Sequence, residues 1–236
     1  MNLRKLNQVA DPLFLGLLFA ADLAFLALHI ANRYLPHGDI LLTLSTERGY
    51  SEIFQYIKEY WIAVLFLVVC FRKKQGVFLA WAALFVYLLC DDALTIHETA
   101  GGLLAAAWNF SPMFGLRPQD FGELLVSLAA GFVFVILLVI FYPRSTPDSR
   151  RAAIDLALLL GLLAFFGVAV DLLHVALGGV FPYGWIILED SGEMIAMSLI
   201  AAYAAHLLNE REHVPGALWD ALQALPVMWR SRREAG

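Results

Sequence analysis

Charge is scarce in this chain. Only 16% of its 236 residues are charged, against about 25% in an average soluble domain. With 61% hydrophobic residues, that excludes an ordinary soluble globule. Cysteine is almost absent. Cys70 and Cys90 fall near opposite ends of neighbouring predicted helices, which argues against a disulfide, and neither belongs to a CxxC metal pair. There is no His-Glu-x-x-His, no Gly-x-Ser-x-Gly and no Gly-rich phosphate loop, so zinc-protease, serine-hydrolase and P-loop chemistry have no motif here. Six histidines are too few for a membrane desaturase. The Asp91-Asp92 pair lacks the second aspartate-rich motif of membrane prenyltransferases, and the spacings of alkaline ceramidase-like hydrolases are missing. Internal repeats and low-complexity tracts are also absent. A net charge of −5 gives no reason to expect a nucleic-acid partner.

What is present is apolar sequence in long runs. About 20 apolar residues cross the hydrocarbon core of a bilayer. Six segments qualify, at 12–33, 53–71, 77–99, 121–142, 153–176 and 185–208. The second carries Lys58 and Glu59, and Trp61 to Phe71 alone is too short to span, so its helix must begin near Ser51. The first follows a basic start (Arg4, Lys5) that resembles a signal peptide, but Asp22 interrupts the run and no clean cleavage site follows. It reads as an uncleaved span. The fold expected is all-α: a six-transmembrane-helix bundle over 1–210 and a tail over 211–236.

Basic residues set the expected orientation. Arg72, Lys73, Lys74, Arg144, Arg150, Arg151, Arg211 and Arg230 fall in alternate connections, together with Arg4 and Lys5, while the opposite loops hold Arg33, Arg48 and Arg117. The positive-inside rule then puts both termini in the cytoplasm. Segment 100–120 is apolar and aromatic, suited to an interface or a folded-back lid, and Pro118 suits a helix's first turn. In the tail, Leu218, Trp219, Leu222, Leu225 and Trp229 lie among polar residues, as in an interfacial amphipathic helix.

Every apolar run carries an acid, a histidine or both. Such residues cost roughly 2.5–3.5 kcal/mol each at mid-bilayer, so they usually face the protein interior and act there. Span 1 has Asp22 and His29 seven apart, on one face. Span 2 has Glu52, Gln55 and Glu59 on one face, with Lys58 beside it. Span 3 ends in DDALTIHE, with Asp91, Thr95 and Glu98 in one stripe and Asp92 about 100° round. Span 4 opens with Glu123, span 5 holds Asp171 and His174, and span 6 opens with Glu189, Asp190 and Glu193. Late residues of odd spans and early residues of even spans meet in the outer half of the bundle. Glu52 aside, ten carboxylates gather there with one permanent cation, Lys58. Left unpaired they would cost roughly 30 kcal/mol, more than the net stability of a typical domain, about 5–15 kcal/mol. Metal ions, shared protons or a water-filled vestibule must neutralise them.

Bound metal is the sharpest reading. Asp-x-x-His on one helix supplies two ligands to one centre, as Glu-x-x-His does, twice, in di-metal carboxylate bundles. The expected ligands are Asp91, His97, Asp171, His174 and Glu193, around one or two divalent ions. Mixed imidazole and carboxylate ligands favour Zn, Fe or Mn. Glu189, Asp92 and Glu98 are the expected proton carriers. Asp22, His29, Lys58, Glu59, Glu123 and Asp190 complete the polar set. Plain structural roles stand beside these: Asp22 hydrogen-bonding a neighbouring helix, Lys58 snorkelling or pairing with Glu59, His29 as an interfacial histidine, Glu52 and Glu123 as helix N-terminal acids. Met194 and Met197 are expected in packing. Asp155 and His206 are expected at the cytoplasmic surface.

The segments DDALTIHE, DFGELLVS, DLLH and LEDSGEM, in that order, resemble a family of uncharacterised bacterial multi-pass inner-membrane proteins over residues 45–205. The resemblance implies a six-helix fold in a bacterial plasma membrane and carries no established activity. Three functions remain open. The first is a metal-dependent membrane enzyme acting on a lipid or small amphiphile, with hydrolysis or group transfer favoured over di-metal oxidation. The second is a proton- or cation-coupled transporter, disfavoured because the inner halves of spans 3, 4 and 6 look dry. The third is a sensor or assembly factor. Membrane lipids are the expected surroundings, and oligomeric state is left open.

Overall fold

The computed structural model describes residues 12–177 and 180–209, so the basic start and the amphipathic tail lie outside the described residues. Eight α-helices follow one another: α1 Pro12–Asn32, α2 Tyr50–Lys73, α3 Val77–Leu94, α4 Ile96–Trp108, α5 Pro118–Phe141, α6 Pro147–Ala164, α7 Asp171–Leu177 and α8 Pro182–Asn209. A π-helical stretch, Phe165–Val170, joins α6 to α7. Among the described residues there is no strand. Six helical units are long and apolar enough to cross a membrane: Pro12–Asn32, Tyr50–Lys73, Val77–Leu94, Pro118–Arg144, Pro147–Leu177 and Tyr183–Leu208.

α8 is the axis of the bundle and packs on α1, α2, α6 and the π-helical stretch. Its buried face is built from Ala196, Ala201, Ala202 and Ala204, small side chains that let neighbouring backbones come close. Between α2 and α3 the core is aromatic, with Phe66 against Phe78, Trp81 and Phe85, and Phe134 of α5 set edge-on to Trp81. The outer surface is apolar as well. Leu128, Phe132, Val135 and Val139 of α5 and Leu13, Leu17 and Leu23 of α1 are exposed. A soluble surface avoids contiguous apolar area on this scale.

Three local results correct the sequence reading. The third helix stops at Leu94, not near residue 99, because Thr95 takes the left-handed conformation (φ 50°, ψ 46°). Asp91, Thr95 and Glu98 therefore do not form one helical stripe. The apolar segment after it is largely a second helix, α4, packed on α5. Gly101 and Gly122 meet backbone to backbone there, leaving no room for a Cβ on either. Finally, Asp155 and His206 are buried, not at the surface, and Tyr203 donates a hydrogen bond to Asp155 Oδ2 at 2.9 Å.

Candidate functional site

The turn at Thr95 builds the centre of the site. A β-branched residue with positive φ is strained, at about 1–2 kcal/mol. The hydrogen bonds that the turn permits offset this. α4 begins at Ile96, and the carboxylate of Asp91, one turn back on α3, accepts from the backbone N–H of His97 at 2.8 Å. Asp91 Oδ2 also lies 3.1 Å from His97 Nδ1. Asp92, the next residue on α3, adds its carboxylate. Ligand atoms of Asp91, Asp92 and His97 all lie within 4.8 Å of one another, close enough to share one metal ion. Asp91 is buried and the other two are half-buried.

His97 lies beyond the end of the apolar helix. Its hydrogen bond to Asp91 raises its pKa to about 9, against the opposing effect of burial; the charges of Asp91, Asp92 and Glu98 add to the rise. Burial also raises the pKa of Glu98, and the charge of Glu47 raises it further.

Carboxyls from other helices surround this group. Glu59 of α2 is 1% exposed, and the charge of Asp92 acts on it. Glu193 of α8 feels the charges of Asp190, Asp92, Glu189 and Asp171. The π-helical stretch positions it. Its Oε1 lies against bare Gly167, where a Cβ would come within 2.6 Å. One turn of this kind widens the helix, and such turns often occur at functional sites. Further round, His174 Nδ1 lies 2.8 Å from Glu189 Oε2, with Asp171 close enough to feel both charges. Asp171 and His174 thus belong to a separate cluster with Glu189, and charges from both clusters act on Glu193. Glu123 accepts from Gln119 Nε2 at 2.6 Å.

One opening is lined by some of these groups and a second runs beside them. A polar cavity of about 150 Å³ lies between the starts of α2 and α8 under the turn Leu44–Glu47, lined by Glu52, Gln55, Asp190 and Glu193. His29 holds that roof in place: its Nδ1 accepts from the backbone N–H of Leu44 at 3.1 Å, so this nitrogen carries no proton and is not free for a metal. The ring of Tyr183 stacks on it at 5.2 Å. The second opening is an apolar groove of about 380 Å³ between α3 and α5, lined by Ala83, Ala129, Val133 and Phe134 and reaching Tyr87 and Ile96. Tyr87 stands one turn from Asp91, and Ile96 precedes His97.

Lys58 neither snorkels nor pairs with Glu59. It is fully buried and donates to Asp22 Oδ1 at 3.0 Å, the carbonyl of Met194 at 3.0 Å and Ser198 Oγ at 3.2 Å. Ser198 in turn donates to Asp22 Oδ2 at 2.6 Å. Asp22 and Lys58 therefore clamp α1, α2 and α8 together, and the lysine charge is matched by Asp22 before it can offset any other acid. Asp120 carried no sequence signal as a site residue. It is buried, and it accepts from Arg117 Nη2 at 2.6 Å and from the Arg117 backbone N–H at 2.6 Å, capping α5.

Neither a curated protein nor a solved structure matches the chain. A family model does match, over residues 13–207, which include every side chain of the site; the chain belongs to the family described as Domain of unknown function (DUF8692).

Proposed function

We propose that this chain is a metal-dependent enzyme of a bacterial inner membrane, acting on a lipid or small amphiphile. Six apolar helices and the distribution of Lys and Arg support a multi-pass bundle with both termini in the cytoplasm. The acidic site then opens toward the outer side. The observation that carries the reading is the convergence of Asp91, Asp92 and His97 at the Thr95 turn. One imidazole and two carboxylates suit Zn, Fe or Mn. These residues would hold a metal ion, which would supply an activated water and polarise a carbonyl or phosphoryl oxygen. Glu98, next to His97 in the chain, and Glu193 would hold a proton for the leaving group. The two openings support an amphiphilic substrate: the groove suits an apolar chain, and the polar cavity admits water. Hydrolysis or group transfer fits this division better than oxidation.

The test is elemental analysis of protein purified in mild detergent, beside an Asp91→Asn, His97→Ala variant. The expected result is bound Zn, Fe or Mn in the native protein and its loss in a variant that still folds. Protein that stays metal-free after incubation with each of the three ions refutes the enzyme reading.

A specific observation favours a second reading, proton- or cation-coupled transport. Polar groups continue below the site: the buried Asp22–Lys58–Ser198 cluster, then buried Asp155 with Tyr203. The inner half is less dry than its sequence suggests. Proton or Mn²⁺ flux in proteoliposomes, abolished by Asp155→Asn, would move the assignment to a transporter.

A further inference from the structure

We propose that the groove between α3 and α5 holds one acyl chain of an outer-leaflet lipid and presents the ester of that chain to the Asp91–Asp92–His97 cluster. The inference rests on the enzyme reading above and narrows its substrate to ester-linked membrane lipids.

The lining sets the chemistry of the occupant. It is apolar from Leu137 and Ala83 at one end to Val126 and Ile96 at the other, and the one polar side chain among its described residues is Tyr87. Small side chains make the hollow. Ala83 and Ala129 are exposed at its mouth, and Val133 beside them is 57% exposed. The mouth therefore faces the surroundings of the bundle, which at this depth of a membrane are lipid tails. A chain can enter sideways from the bilayer without crossing water.

Length limits the occupant to one chain. Along α5 the lining runs from Val126 to Leu137, about 16 Å at the helical rise. Half of the hydrocarbon core is about 15 Å thick, the reach of a chain in a single leaflet. In the topology proposed above, Val126 and Ile96 form the outer end. A chain lying along the groove with its headgroup outward belongs to the outer leaflet.

The upper end decides which bond is presented. Ile96 directly precedes His97, and Tyr87 lies one turn before Asp91 on α3. These steps span about 3.8 Å between neighbouring Cα atoms and about 5.4 Å of helical rise. The first polar group above an acyl chain is its ester, and a lipid phosphate lies several bonds further out. The hydroxyl of Tyr87 is buried without a hydrogen-bond partner among the described residues. Buried hydroxyls normally have one, and an ester carbonyl at this end of the groove would accept from it.

The experiment places the full chain in nanodiscs of phosphatidylglycerol doped with a phosphatidylglycerol that carries a photoreactive group on one acyl chain. Crosslinks are mapped by mass spectrometry. One probe carries the group at the chain end and another beside the ester. The chain-end probe should label near Ala83 and Leu137, and the ester-end probe near Tyr87 and Ile96. Ala129→Phe fills the groove and should lower both signals about tenfold. Ala83→Phe is the second variant, to be used if Ala129→Phe does not fold, and the same loss is expected. Labelling spread evenly over exposed Phe132, Val135 and Val139, and unchanged in the variants, overturns the proposal. So does a reversed order of the two probes, which would turn the ester away from the cluster. Metal analysis of the same protein, after incubation with Zn, Fe or Mn, tests the enzyme reading separately. Ordered labelling of protein that binds none of them overturns that reading and supports the lipid site. Even labelling of metal-binding protein overturns the lipid site and leaves the metal centre standing.

Discussion

Replacing Lys58 with methionine removes a buried positive charge while keeping most of the side-chain volume. Asp22 keeps the hydrogen bond from Ser198 but loses its counter-charge, and the carbonyl of Met194 loses a donor. Breaking a buried ion pair from one side costs about 3–5 kcal/mol, because the charge left behind is uncompensated. For a protein of this size each kcal/mol moves the melting temperature by about 2–4 °C, so Lys58→Met should lower it by roughly 6–20 °C. Thermal unfolding in detergent, followed by tryptophan fluorescence, reads this directly. Adding Asp22→Asn removes the stranded charge, and the double variant should recover most of the loss. If Lys58→Met melts with the native protein, or Asp22→Asn recovers nothing, the pair is not the clamp that joins α1, α2 and α8.

Gly167→Ala should act on the site and not on the fold: the new Cβ meets only the flexible tip of Glu193 at 2.6 Å, so the melting point of metal-free protein should move by less than about 4 °C while Mn²⁺ affinity falls. An unchanged Mn²⁺ titration would show that Glu193 takes no part in binding. His97 gives a pH signature. Its pKa is raised to about 9 by Asp91, so metal must displace a proton, and apparent affinity should rise with pH up to about 9 and then level off. In metal-free protein the sign is opposite. A raised pKa means that the stability due to His97 is complete below its ordinary value, near 6.5, and is lost as pH rises through about 9. Melting curves with and without metal across this window should therefore diverge as pH rises, and His97→Ala should abolish the divergence. Parallel curves would argue against His97 as the titrating ligand.

Length and apolarity determined the six long helices from the sequence alone, because a run of about 20 apolar residues has no other way to satisfy its backbone in hydrocarbon. The first run, expected at 12–33, is Pro12–Asn32, and the second begins at Tyr50, beside the expected Ser51. Helical periodicity also placed Asp22 and His29 on one face, and both are buried. The tertiary structure decided the rest. The Thr95 turn follows no glycine or proline; it exists because Asp91 caps the helix that follows. The π-helical stretch has no sequence marker, since it forms where Phe166 and Glu193 must pass Gly192 and Gly167. Lys58 finds Asp22 across 36 residues, and Asp22 finds Ser198 across 176. Helices that are apolar nearly all round carry little record of which face meets which neighbour. The sequence alone therefore determined that acids and histidines would gather at one end of the bundle. Packing decided which of them meet: Asp91 with His97, Asp22 with Lys58, and His174 with Glu189.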